Sequence, residues 1–210
     1  MNLPNKLSLL RICLVPLFVA AYFLPYSWGA YVAVGLFILA AFTDFLDGHI
    51  ARKYNLVTDL GKLLDPIADK ILVCAALFCV VATNPLQYLT HTWAPTFGVI
   101  FLAVGATVII SRELLISAVR QIAASKGVVV QANVFGKIKT IVQDVSLPML
   151  VICNVERICS ASDLSGVGYT PSMFWTIWWW ASVVLFGAAV VLTILSGVIY
   201  LVQNKKVFAN

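Results

Sequence analysis

Three features of the sequence predict an all-α integral membrane protein built on six transmembrane helices. The first is composition: of 210 residues, 61% are hydrophobic and only 11% charged, with a mean hydropathy of +0.97. Soluble domains run near ~45–50% apolar and ~25% charged, so a globule of this composition would expose most of its excess to water. The second is spacing, since six apolar stretches approach or exceed the ~20 residues that a helix needs to cross hydrocarbon. The third is the alternation of Lys and Arg between the breaks that separate those stretches. Disordered, collagenous and coiled-coil classes fall away, because charge is sparse and no short repeat is present. The length suits one domain, residues 1–210.

The spans lie at about 8–25, 30–53, 59–83, 96–124, 135–155 and 173–203, each bounded by loop chemistry. Pro25 with Trp28 and Gly29 closes the first, and Asn84-Pro85 through Pro95 separates the third from the fourth. Ser125-Lys126-Gly127 and the Ser/Gly/Asp stretch from Ser160 to Pro171 mark the later breaks. The second, fourth and sixth spans exceed the minimum and are expected to project beyond the bilayer. No cleavable leader is expected, because Leu7 to Leu24 is long and no small-residue cleavage site follows. Thirteen of the fourteen Lys and Arg fall on or near one side, and only Arg157 lies opposite. The positive-inside rule then puts both termini in the cytoplasm, as six spans require.

Tryptophans 28, 93, 175, 178, 179 and 180 sit near the outer ends of spans, where headgroup anchoring accounts for them. The five cysteines form no CxxC or Cys/His zinc pattern, and most behave as small hydrophobes within apolar runs. Cys153 and Cys159 would pair only on an oxidising face. The net charge of +5 is compatible with anionic partners. Nucleic acid is excluded as a partner, for want of a soluble basic module.

Five of the nine carboxylates crowd between residues 44 and 69: Asp44, Asp47, Asp59, Asp65 and Asp69. Helical positions three or four apart share a face. Asp44 and Asp47 therefore lie on one side of the second span, followed by Gly48 and Arg52, while Gly61, Asp65 and Asp69 stack on one side of the third. A hairpin of the two brings four carboxylates to one focus. Ionised groups so close repel and cost several kcal/mol to desolvate, so a cation must offset them. Hard divalent ions take clustered Asp oxygens. Two ions about 3.5–4 Å apart would clamp a phosphoryl group displaced in line. Gly48 and Gly61 leave room for a bulky ligand at the backbone. Any one of these aspartates could be a solvated loop residue or a partner of Arg52, Lys53, Lys62 or Lys70. Four at spacings of 3, 18 and 4, with small residues interleaved, are not explained that way.

A basic set lies further along. Arg112 and Arg120 are eight residues apart on the fourth span, about two helical turns, and Lys137 and Lys139 open the fifth. Arg captures phosphate bidentately and Lys adds a point charge, so this set suits an acceptor that carries its own phosphate. The plainer alternative pairs Arg112 with Glu113 and lets the lysines snorkel to headgroups.

The stretch from Asp44 to Asp69 resembles the signature of the CDP-alcohol phosphatidyltransferases, D-x2-D-G-x2-A-R-x8-G-x3-D-x3-D, at every fixed position. That family moves a substituted phosphate from a CDP-linked donor to an alcohol and releases CMP. The resemblance implies the family's six-helix fold and a homodimer. It implies that Asp44, Asp47, Asp65 and Asp69 hold two Mg²⁺ or Mn²⁺ ions, and that Asp69 also acts as the base on the acceptor hydroxyl. Gly48, Ala51, Arg52 and Gly61 would then line the CDP site.

Three shorter segments extend the likeness: Leu3-Pro4-Asn5-x2-Ser8-x2-Arg11, Ser111-Arg112-Glu113 and Gly136-Lys137-Ile138-Lys139-Thr140. They are similar to family members that use sn-glycerol 3-phosphate. This implies CDP-diacylglycerol as donor in the lipid, Asn5 and Ser8 beside the nucleotide, and Arg112, Arg120, Lys137 and Lys139 around the acceptor's phosphate. Another acceptor, inositol phosphate or phosphatidylglycerol, is the near alternative. A divalent-cation transporter is the distant one, and it would need acidic groups along a path across the membrane.

Overall fold

The computed structural model describes residues 3–54, 59–86, 96–125, 134–161 and 172–203. Its side chains are described for 6–43, 67–68, 70–86, 96–123, 134–155 and 172–203. Six helices run through these residues: α1 Leu3–Tyr22, α2 Ser27–Tyr54, α3 Asp59–Thr83, α4 Phe97–Ser125, α5 Val134–Ala161 and α6 Met173–Gln203. All the described regular structure is helical. Three of the helices contain stretches long and apolar enough to cross a membrane, Phe97–Ala123, Val134–Val155 and Met173–Gln203. Shorter apolar stretches occupy Ser27–Thr43 and Lys70–Thr83.

The inward faces follow helical spacing. On α1, Ser8, Arg11, Val15, Phe18 and Tyr22 are buried at intervals of three and four, while Leu9, Leu10 and Leu17 point outward. Pro16 removes one backbone donor from α1, yet the helix continues to Tyr22. On α2, Ala30, Ala33, Phe37 and Ala40 repeat the pattern, and the small residues let α1 come close. Gly29 is required at that junction, because a Cβ there would stand 2.7 Å from the Ala21 carbonyl oxygen. Gly105 plays the same part on α4, where a Cβ would lie 2.5 Å from the Phe186 ring.

α1 packs along α2 and α3, α2 against α5, α5 against α6, and α4 against both α3 and α6. One core cluster, containing Phe18, Phe37, Leu77, Leu102, Leu147 and Phe186, joins all six helices. The outer surface carries Ile38, Phe42, Phe78, Ile100, Val104 and Val184 exposed, as a lipid-facing wall requires.

Neutral hydrogen bonds tie one end of the bundle. The Tyr22 hydroxyl lies 2.6 Å from the Thr83 hydroxyl, which donates to the Cys79 carbonyl at 3.1 Å. Asn154 Nδ2 donates to the Tyr22 carbonyl at 3.2 Å, meeting a helix-end acceptor. α3 stops at Asn84, whose φ of 42° is the left-handed cap that Asn tolerates. Its N–H donates to the Val80 carbonyl, and Pro85 follows. On α6, Ser182, Thr193 and Ser196 donate to carbonyls three or four residues back, which lets hydroxyls face the core.

The spans expected from hydropathy agree closely with these helices, and two run longer. α1 starts at Leu3 because Pro4 is tolerated in a first turn and Asn5 and Lys6 are helical without being apolar. α5 continues to Ala161, past the apolar limit near 155. The tryptophans divide. Trp28 and Trp180 are exposed as anchors, and Trp178 donates to the Met149 carbonyl at 3.2 Å. Trp179 differs: at 1% exposure it faces the core, because its neighbours in the helical repeat are Ser182 and Phe186. Trp93 and Cys159 lie outside the described residues, and Cys153 is buried 3.7 Å from the Ser182 hydroxyl.

Candidate active site

The signature positions and the described charged side chains lie toward the end of the bundle opposite the Tyr22–Thr83–Asn154 ties. Asp44, Asp47, Gly48, Ala51 and Arg52 occupy the last turns of α2, and Gly61, Asp65 and Asp69 the first turns of α3. The two helices touch, and only four residues separate Tyr54 from Asp59. All eight positions are helical, as the spacing argument requires, while their side chains lie outside the described residues. Asn5 stands in the first turn of α1, also with its side chain outside them, and Ser8 is fully buried one turn on.

Immediately after Asp69, described side chains line a small cavity of about 50 Å³ between α3, α4 and α5. α3 contributes Lys70, Val73 and Cys74, and α4 contributes Ile109, Ile110, Glu113 and Leu114. α5 contributes Lys139, Thr140, Gln143 and Asp144, a pattern of neighbours one turn apart on a single face. A second cavity, of about 40 Å³, lies between α1, α2, α3 and α5. Arg11, Phe37, Ala40, Ala41 and Leu72 line it, and Val73 and Asp144 border both cavities. Val73 is four residues beyond Asp69, so the two cavities flank α3 about one turn inside the last signature aspartate.

A charge network crosses the first cavity. Lys139 is 1% exposed and donates to the Glu113 carboxylate. Arg112 approaches the same oxygen through Nη1 at 3.2 Å and donates through Nη2 to the Ser196 hydroxyl at 3.1 Å. Lys70 donates to the Ser117 hydroxyl, which donates in turn to the Glu113 carbonyl at 2.7 Å. Glu113 thus holds α4 to α5, and Ser117 holds α4 to α3. Buried charge is retained in an apolar bundle only when paired in this way.

The expected basic set is brought together in part. Arg112 and Lys139 converge on Glu113, so the Arg112–Glu113 pairing does occur. Lys139 does not snorkel, because its α5 face turns inward against α4. Arg120 is exposed, its guanidinium carbon 5.8 Å from the centre of the Tyr200 ring. Lys137 is exposed and is not a lining residue, since it stands two positions from Lys139 and so on another face. Sequence reasoning passed over Lys70, Ser117, Gln143 and Asp144 as site residues. The available signal was polar residues three or four apart within an apolar stretch, Lys139 with Gln143 and Thr140 with Asp144.

Fold and site together define a helical membrane protein whose described charged side chains converge at one end, around a small cavity. The chain belongs to the CDP-alcohol phosphatidyltransferase family, whose model matches residues 1–187. It is similar to relatives named CDP-diacylglycerol–glycerol-3-phosphate 3-phosphatidyltransferase. The Bacillus subtilis protein is 38% identical over 188 residues, covering 84% of this chain and 90% of the relative. The Rickettsia felis protein is 32% identical over 207 residues, 99% of this chain and 97% of the relative. The Escherichia coli K12 protein is 38% identical over 152 residues, 71% of this chain and 76% of the relative.

Proposed function

We propose that this chain transfers the phosphatidyl group of CDP-diacylglycerol to sn-glycerol 3-phosphate, releasing CMP and forming phosphatidylglycerophosphate. The observation that carries this reading is the lysine-bearing cavity that opens one residue after the last aspartate of the family signature. The names of the relatives support it. In this reading all six helices span a bacterial inner membrane, both termini and the site are cytoplasmic, and two copies form a homodimer.

The donor keeps its acyl chains in lipid. Gly48, Ala51, Arg52 and Gly61 line the CDP site, the small residues admitting the nucleotide and Arg52 meeting phosphate. Asn5 and Ser8 complete that side from α1. Asp44, Asp47, Asp65 and Asp69 fit a divalent cation site, because four carboxylates on two touching helix ends are a hard oxygen donor set. Bound there, one or two Mg²⁺ or Mn²⁺ ions supply Lewis-acid charge to the pyrophosphate. The acceptor's phosphate enters the first cavity, where Lys139 and Lys70 meet it and Arg112 stands behind Glu113. Arg120 and Lys137, exposed at the same end, draw the anion in from solvent.

Asp69 accepts the proton of the sn-1 hydroxyl, whose oxygen forms the new bond to the phosphorus bearing diacylglycerol. The bond from that phosphorus to the CMP oxygen breaks, and CMP leaves with the electron pair. Lys139, Arg112 and Lys70 outnumber the carboxylates Glu113 and Asp144 around this cavity, which favours a phosphorylated acceptor.

The test is CMP release from CDP-diacylglycerol by the purified protein, with Mg²⁺ or Mn²⁺ and with or without glycerol 3-phosphate. Release that requires both the metal and glycerol 3-phosphate is the expected result. Release only with inositol phosphate or phosphatidylglycerol would replace the acceptor and keep the reaction. Metal flux across vesicles without CMP release would establish the transporter instead.

A further inference from the structure

We infer that Gln143 reads the hydroxyl of the acceptor that does not react, and so makes the site select a phosphorylated diol over a phosphorylated mono-alcohol. This rests on the transferase reading above. Gln143 lies on α5 four residues beyond Lys139, on the same face, and lines the cavity between α3, α4 and α5. It is 3% exposed, and its carboxamide oxygen has no hydrogen-bond partner among the described residues. Its neighbours are engaged: Lys139 with Glu113, Lys70 with Ser117, and the Ser146 hydroxyl with the backbone carbonyl of Gln143 itself.

A buried acceptor without a donor costs the full desolvation of that group, so such an atom on a cavity wall calls for a ligand that brings a hydrogen. A carboxamide oxygen is neutral and has nothing to offer a phosphate. It asks for an O–H or N–H. The lysines of the same wall supply the charge that an anion needs, so the division of labour is spatial. The phosphate goes to the ammonium groups, and the hydroxyl goes to the oxygen about 6 Å further along α5, the rise of four helical residues. A three-carbon phosphate bridges that span with one hydroxyl left to react. Asp144 borders the same space, but it is exposed and its charge acts on Lys139.

The experiment compares kcat/KM for sn-glycerol 3-phosphate with that for 3-hydroxypropyl phosphate, which keeps the phosphate and the primary alcohol but lacks the middle hydroxyl. The wild-type protein is expected to prefer glycerol 3-phosphate by roughly 10- to 100-fold, the scale set by a buried acceptor left unmet. Gln143→Met keeps the length and loses the oxygen. It is expected to abolish the preference by raising KM for glycerol 3-phosphate alone, with kcat retained. Gln143→Asn, which keeps the carboxamide, is expected to restore part of it. A purely structural role would weaken both acceptors equally. Equal use of the two acceptors by the wild-type protein overturns the inference, whether or not any variant folds. An undiminished preference in Gln143→Met overturns it as well. Failure of the wild-type protein to transfer to glycerol 3-phosphate at all is a different result, and removes the transferase reading together with this one.

Discussion

The two ends of the bundle solve opposite problems with different chemistry. At the end marked by Tyr22, Thr83 and Asn154, the ties among the described residues are neutral, and each closes a local backbone or hydroxyl need. At the other end Lys139, Glu113, Arg112 and Lys70 are partly or fully buried, and each depends on a partner from another helix. Neutral hydrogen bonds contribute about 0.5–1.5 kcal/mol each and can be lost singly. Buried charges cannot, because removing one partner strands the other. The charged end is therefore the one whose composition follows chemistry rather than stability.

Substitutions at the two ends should differ in kind. The largest effect is expected for Asp69→Asn, which should lower turnover by about 10²–10⁴-fold, the usual share of a general base. Its thermal unfolding should match that of the parent, and an active, well-folded variant would remove Asp69 from its role. Next is Glu113→Ala, which strands Lys139 in the interior and should cost about 3–5 kcal/mol of stability. Denaturant unfolding in detergent measures this. A cost below about 1 kcal/mol would mean that Lys139 finds another partner.

Arg112→Ala should act chiefly on the acceptor. We expect an apparent KM for glycerol 3-phosphate raised by about tenfold, as for the loss of one charged hydrogen bond, with the dependence on CDP-diacylglycerol unchanged. An unaltered KM would confine Arg112 to bracing α4 against α6 through Ser196. The smallest effect belongs to the opposite end. Tyr22→Phe should cost about 1 kcal/mol in unfolding and leave both substrate dependences alone. A change in acceptor KM there would show that the two ends are coupled, and would break the contrast.

Much of this was legible in one dimension. Hydropathy and breaks placed the six described helices, three of which carry stretches long enough to cross a membrane, because such a helix must satisfy its own backbone and so announces itself in about 20 consecutive residues. The helical placement of Asp44, Asp47, Asp65 and Asp69 was legible for a related reason, since three- and four-residue spacing is meaningful on one helix. Lys139 was read as a basic residue near the acceptor, but not its burial. That depends on which face of α5 meets α4. Trp179 shows the same limit: a run of three tryptophans looks uniform, and only packing in the bundle tells the buried ring from its neighbours.

What the sequence determined by itself is the class of molecule, the positions of the described helices, and the residue types at the reacting end. Each follows from local composition or from spacing within one helix. The tertiary structure alone decided that Lys70, Glu113, Lys139 and Gln143 share one cavity, and that Arg120 and Lys137 stand apart from it. Those neighbours come from three helices up to 73 residues apart in the chain. Their meeting is set by the rotation of each helix about its own axis, which is fixed by the small and bulky residues buried between helices rather than by the polar residues it brings together.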